Sequence, residues 1–457
     1  MTQLLKKAWI GLGIVMFVLS CTNEITESTK LLDSKETVVI ISNPNAMSEE
    51  QALIEALGFM ENSGISVRSS EQGRNRKTSV RLKNYSVRVD EASSKEREAR
   101  QEIPVYTINY ENENGKKTGF VVLAGDERIS GKILIFSEDE NMIFDMEKRT
   151  DSEFLEDLIA GYLFKSINRE EFNNPIVTRG SISTINNGTG DVSYVLFPPV
   201  VQLEQFGDPF TRYTPFRGSP LARSSSGCTA MAMSEIMAWH SWPQHGTFPR
   251  YNSLNNCVNT TVSYILTSQE KTQLEQGFYS GNVGEYIANI LIETGYRLNQ
   301  NYTSSTSSTT AYPDDVPSVF VEMGYTTGSY TEYKYSDVEN DIRNRIIPVF
   351  MAGWKHTSDP NYGGHAFVIT GVRHKTNNSI VDKFIAVNDG NGMPYMGEVW
   401  YDEKMFSTNY STSYVPKPGE TIYPYKYNCK IITNIKPNKN KTGSTNPSWR
   451  ARSVNPY

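Results

Sequence analysis

The chain has 457 residues, 38% hydrophobic and 21% charged, enough for two or three globular domains. Its net charge is -6 at pH 7 and it has no long basic run, so nothing in its electrostatics suggests a nucleic-acid partner. Five histidines and four cysteines confine any thiol or imidazole chemistry to a few positions.

Lys6 and Lys7 precede an apolar run from Ala8 to Leu19, and Ser20-Cys21 follows. A charged start, a short apolar stretch and small residues before a cleavage point describe an export signal over residues 1–20, too short to span a bilayer. Cys21 directly after Val18-Leu19-Ser20 resembles a bacterial lipobox, which implies lipidation of Cys21 and a membrane-anchored, exported protein whose later part is held or released. A plain signal peptide with an incidental cysteine is the alternative. Lipid on Cys21 would leave Cys228, Cys257 and Cys429, and an odd thiol in an exported protein reads as reactive. Cys257 and Cys429 could pair or both stay reduced.

Residues 21–45 read as a polar tether, and 46–165 as a small α+β domain. Ser48 and Gln51 form a capping-box pattern before Leu53, Ile54, Leu57 and Met60 at helical spacing, with Gly64 as the stop. Strands are expected near Tyr85–Val89, around Tyr106, Ile108 and Tyr110, at Gly119–Ala124 and at Lys132–Phe136, with Asn114-Gly115 as a hairpin turn. Phe154, Leu155, Leu158, Ile159, Tyr162 and Leu163 then mark an amphipathic helix. Residues 166–193 shift to Asn, Ser, Thr and Gly and read as a linker open to cleavage.

The second domain spans 194–437. A buried helix begins at Cys228 and ends at Trp242-Pro243, a second runs from Val283 to Thr294 with Gly295 as its stop, and a short one from Asp315 to Glu322. Strands are expected at Pro348–Ala352, His365–Gly371, Phe384–Asn388 and Glu398–Tyr401. His356 and His374 fall in stretches that read as polar loops, and 438–457 as a disordered tail.

The chemistry centres on Gly227-Cys228-Thr229-Ala230, where a polar loop turns into an apolar run. A cysteine at a helix N-terminus meets unpaired N–H groups and the positive dipole end, which favour the thiolate, although an inert buried cysteine has the same local signature. A thiolate nucleophile needs a base, and His365 stands at the mouth of an apolar strand within Gly363 to Gly371, roughly 140 positions downstream, the order of spacing seen in papain-like enzymes. The strand Phe384–Val387 delivers Asn388, able to accept from the imidazole N–H. A zinc site of Cys228 with His240 and His245 is disfavoured, because no second cysteine lies at the usual pair spacing.

Gly227 to Ala230, with Ile236 to His240 and Trp242-Pro243, resembles the nucleophile helix of the streptopain (pyrogenic exotoxin B-like) family of papain-fold bacterial cysteine proteases, made as zymogens. Gly363 to Gly371 resembles that family's histidine strand and Val387-Asn388 its asparagine strand. Gln205 to Phe210 resembles the segment that supplies an oxyanion glutamine. The resemblance implies an α+β architecture: a papain-like catalytic domain with a helical half and an antiparallel β half, preceded by a propeptide domain similar to the streptopain inhibitor. It implies peptide-bond hydrolysis of protein substrates without metal or organic cofactor, Cys228 as nucleophile, His365 as general base and acid, Gln205 in the oxyanion hole, Asn388 orienting His365, and the propeptide as intramolecular inhibitor. In the family a tryptophan follows the asparagine; here Asn388 is followed by Asp389-Gly390. Loss of that cover opens the Asn388–His365 contact to water, unless Asp389 supplements it. A catalytically weakened surface adhesin on the same fold and a Cys–His acyl transferase are the competing expectations.

Overall fold

The computed structural model describes residues 37–62, 77–89, 97–111, 117–129, 131–138, 142–146, 152–168, 192–196, 203–217, 222–302, 311–356, 364–377, 380–388, 390, 399–406, 410–413 and 424–441. Cys21, the signal and tether up to residue 36, Gly64, the Asn114-Gly115 turn, linker residues 169–191, Asp389 and the tail from 442 lie outside them.

The first unit contains β1 (Thr37–Ile41), α1 (Glu49–Asn62), β2 (Lys77–Arg88), β3 (Arg97–Glu111), β4 (Lys117–Ala124), β5 (Ile133–Ser137) and α2 (Ser152–Asn168). The capping box at the start of α1 is formed: Gln51 N–H donates to Ser48 Oγ at 3.2 Å, and Ser48 N–H donates to Gln51 Oε1 at 2.8 Å. Met60 of α1 is buried, whereas Ile54 faces out at 48% exposure, so the apolar stripe is narrower than its spacing suggested. Strand β3 is long and pairs antiparallel with both β2 and β4, and parallel with β1.

The second unit opens with β6 (Val192–Leu196), β7 (Phe216–Arg217) and β8 (Ala222–Arg223) before α3 (Cys228–His240). Next come the hairpin β9 (His245–Tyr251) and β10 (Cys257–Ser263), then α4 (Ser268–Glu275) and α5 (Gly281–Arg297). After α6 (Val316–Glu322), β11 (Tyr325–Thr326), β12 (Tyr330–Glu332) and α7 (Tyr335–Glu339), the chain builds its β half. This consists of β13 (Val349–His356), β14 (Gly364–Asn377), β15 (Ile380–Asn388), β16 (Val399–Asp402), β17 (Tyr410–Ser413), β18 (Pro424–Ile432) and β19 (Lys436–Pro437).

Three details differ from the sequence reading. Gly295 lies inside α5 rather than ending it, because a side chain there would collide with Gln300 and the Tyr302 hydroxyl; the glycine admits a close approach. His356 and His374 sit on strands β13 and β14, and His374 is half-buried 3.0 Å from Glu339. The β9–β10 hairpin was not anticipated, since its exposed second strand carries little apolar alternation.

The two units share one sheet. Its order is β1-β3-β4-β5-β16-β15-β14-β13-β18-β12, and β5 pairs antiparallel with β16 through Val399–Ser137, Trp400–Phe136 and Tyr401–Ile135. On one face, Phe384, Ala386 and Trp400 of the later strands join a cluster otherwise made by the first unit. Phe136 meets Phe384 edge-on at 5.1 Å and stacks on Trp400 at 6.4 Å. Arg373 on β14 closes the joint with a 2.6 Å ion pair to Glu138. Asp402 is buried against Gly131, whose carbonyl accepts from the Tyr162 hydroxyl at 2.8 Å.

Candidate active site

Helix α3 is buried almost throughout, from Thr229 to Ala238, and packs between α5 and strand β14. Ser234 Oγ bonds Thr294 Oγ1 at 3.2 Å, fixing its seat on α5. The helix starts abruptly because Gly227 adopts φ +80°, a conformation that side chains rarely tolerate, and its carbonyl accepts the first helical bond from Met231 at 3.0 Å. No side chain caps α3 and its first turn has no acid, so its leading N–H groups remain for the chemistry at Cys228.

Cys228 is half-buried, and its thiol is hydrogen-bonded to the His365 ring. Burial pushes the thiol up. The His365 bond and its charge, the Ala366 backbone N–H and the Thr229 hydroxyl outweigh that effect together, so the thiol is held below its usual range. His365 is carried at the start of β14, opposite Gly353, next to fully buried Ala366 and Phe367. A cysteine and a histidine more than a hundred residues apart are thus brought into contact by packing α3 on β14.

Gln205 is also brought in. It is 9% exposed, and its backbone carbonyl accepts from Ser226 N–H at 2.9 Å and from Ser226 Oγ at 3.3 Å. These bonds tie the Gln205 segment to the loop that immediately precedes Cys228. The segment is braced further on by Arg212, which binds Asp208 at 2.6 Å and Glu285 of α5 at 2.8 Å. The Arg212 hydrogen bond holds the Asp208 carboxyl below the usual carboxylate range.

Asn388 ends β15, in register with Val368 on the strand that bears His365. Its amide Nδ2 donates to Glu235 Oε2, and its Oδ1 accepts from Gly390 N–H at 3.1 Å. Glu235 is 2% exposed and its Oε2 also accepts from Leu203 N–H at 3.4 Å. Sequence reasoning did not single out Glu235. A signal existed: it is the one charged residue in the run from Cys228 to Trp239, and acids are rarely buried without partners.

The remaining histidines and cysteines lie elsewhere. His240 Nε2 is 3.1 Å from the Ile435 carbonyl, and burial pushes its pKa down to about 4 against that bond. Among the described residues Cys257 and Cys429 are free thiols: Cys257 is exposed on β10 and Cys429 is buried on β18, where burial pushes it up to about 12.

The arrangement offers a thiol held below its usual range, an imidazole in contact with it and a helix start beside it, a set able to attack a carbonyl. Residues 205–394 match the Peptidase C10 family, a segment that begins at Gln205 and includes Cys228, His365 and Asn388. No curated protein matches the chain. Among solved structures, a prointerpain A fragment of Prevotella intermedia is similar at 14% identity and TM-score 0.44, covering 76% of this chain and 98% of the fragment. Active interpain A cysteine protease of Prevotella intermedia is similar at 17% identity and TM-score 0.34, covering 52% of this chain and 94% of that one. Residues 205–394 are thus similar to the streptopain-like Peptidase C10 family, and the chain is a cysteine-type peptidase of α+β fold.

Proposed function

We propose that the chain is the exported zymogen of a lipid-anchored cysteine endopeptidase in which Cys228 and His365 carry the reaction. The observation that supports this reading is the Cys228–His365 hydrogen bond together with the depressed thiol. The Cys228 thiolate attacks the scissile carbonyl carbon. The resulting oxyanion is met by the Cys228 backbone N–H and the Gln205 amide, and collapse forms a thioester while His365 gives its proton to the departing amine. His365 then takes a proton from water, which attacks the thioester and releases the acid product and the thiol. Asn388 keeps the imidazole oriented through both steps.

In this reading residues 46–165 act as an intramolecular inhibitor, cleavage falls within 166–193, and Cys21 carries the lipid. The first unit attaches through β16, two strands from the one that bears His365. A thiol-reactive epoxide should label Cys228 in the processed protein, and protein-substrate hydrolysis should vanish in Cys228→Ala; hydrolysis that survives in that variant sinks the assignment. Labelling with a palmitate analogue in a bacterial host should disappear in Cys21→Ser if Cys21 is the anchor.

A further inference from the structure

We propose that Glu235 is a positioning residue for the Cys228–His365 reaction, holding Asn388 from the nucleophile helix in the place of a covering aromatic side chain. The proposal rests on the peptidase reading above and concerns how one chain segment is held.

Cys228, Met231 and Glu235 follow one another at helical spacing on α3, so they share a face. That face is gripped twice by the turn after β15. Gly390 has φ +71°, and a Cβ at that position would run into the Met231 methyl, so the turn lies directly on the helix. One turn further along, Glu235 Oε2 accepts from Asn388 Nδ2. The Asn388 side chain is therefore fixed at both ends: the carboxylate takes its NH2, and the Gly390 N–H holds its carbonyl oxygen at 3.1 Å. An amide flip would set the Asn388 carbonyl against the Glu235 carboxylate, two acceptors face to face, which penalises the wrong orientation. The Asn388 oxygen has a second lone pair, and the flip-locked amide keeps it available to accept from an imidazole N–H. Because Glu235 and Cys228 belong to the same rigid helix, the orienting group moves with the nucleophile.

A merely structural Glu235 would fill space and satisfy Leu203 N–H, which it also does at 3.4 Å. The two roles separate in an exchange of charge and amide. Asn388→Asp sets two carboxylates against each other, and we expect kcat to fall by at least about tenfold with a smaller change in KM. The rate of Cys228 alkylation by iodoacetamide at acidic pH should fall with it. Glu235→Gln keeps an acceptor for Asn388 and should retain activity within roughly threefold. The double variant Glu235→Gln/Asn388→Asp restores one donor and one acceptor: the introduced amide on α3 gives, and the introduced carboxylate at the end of β15 receives. It should regain most of kcat and of the low-pH alkylation rate.

All three variants preserve side-chain size, and melting temperatures establish that each is folded. A double variant no more active than Asn388→Asp, or losses that simply multiply, would overturn the proposal; so would full activity in Asn388→Asp. Activity that survives Cys228→Ala defeats the peptidase reading itself, and this proposal with it.

Discussion

The molecule has two internal junctions, and they are built by different means. At the active site, α3 packs on the β half through buried apolar side chains, and two polar contacts add direction to that packing: Cys228 with His365 on β14, and Glu235 with Asn388 on β15. Where the first unit joins the second, β5 pairs with β16 by backbone bonds, reinforced by aromatic packing of Phe136 on Phe384 and Trp400. Side-chain bonds between buried groups are directional and fix geometry to fractions of an ångström, which catalysis needs. Backbone pairing with an apolar patch gives area and adhesion, so losses there fall on stability rather than on chemistry. One junction is made to hold a reaction, the other to hold a neighbour.

The largest test of that contrast lies at the first junction. Cys228→Ala should remove at least about 1,000-fold of kcat/KM for peptide hydrolysis and change the melting temperature far less, since it deletes a single sulfur atom from a half-buried site. At the second junction the order reverses, with stability responding and chemistry not. Phe384→Ala, which empties a site between Phe59 and Phe136, should cost about 3–5 kcal/mol. Size-exclusion chromatography after linker cleavage should show the N-terminal unit separating from the catalytic unit.

Asp402, beside the second junction, makes the stability of the folded chain sensitive to pH. Burial pushes its carboxyl up to about 7, against the favourable Lys404 charge and backbone bond and with Glu403 and Asp382 adding to the rise. Because the folded value lies above the ordinary 3.8, the folded chain binds the extra proton. This contribution to folding is therefore strongest below about pH 4, weakens as pH rises towards about 7, and changes little beyond. Asp402→Asn should flatten this dependence, with a gain of up to about 4 kcal/mol at pH 8 relative to the parent, read from melts between pH 4 and 8. The smallest effect belongs to Glu138→Gln, which keeps a hydrogen bond to Arg373 but removes its charge. It should cost about 1–2 kcal/mol of joint stability and nothing in hydrolysis by the cleaved enzyme.

Local features were legible in the sequence and long-range ones only where a motif carried them. The Ser48–Gln51 capping box, the α3 start at Gly227-Cys228 and the strands around Phe120, Phe136, Phe367 and Ile385 follow from spacing and turn chemistry that act over a few residues. The Cys228–His365 contact was within reach because both residues stand in recognisable surroundings, a glycine-led helix start and a glycine-led strand. Glu235 escaped attention because its partner, Asn388, lies on a strand whose position relative to α3 no local pattern specifies. The β5–β16 pairing was invisible for the same reason: two apolar strands with a linker between them carry no mark of who their neighbours are. Gly295 misled because glycine serves both as a helix stop and as a point of close approach, and only its neighbours Gln300 and Tyr302 decide which.

Pairing of β5 with β16 also bears on what the second unit would meet if the first unit left it. While the first unit stays in place, the backbone groups of Val399 to Tyr401 are bonded and Phe384 and Trp400 are covered. Its departure would leave a bare sheet edge beside an aromatic patch, the combination that recruits other strands and drives self-association. A released catalytic unit would then owe its solubility to whatever takes the vacated edge, so the first unit would shield from association the edge that it covers.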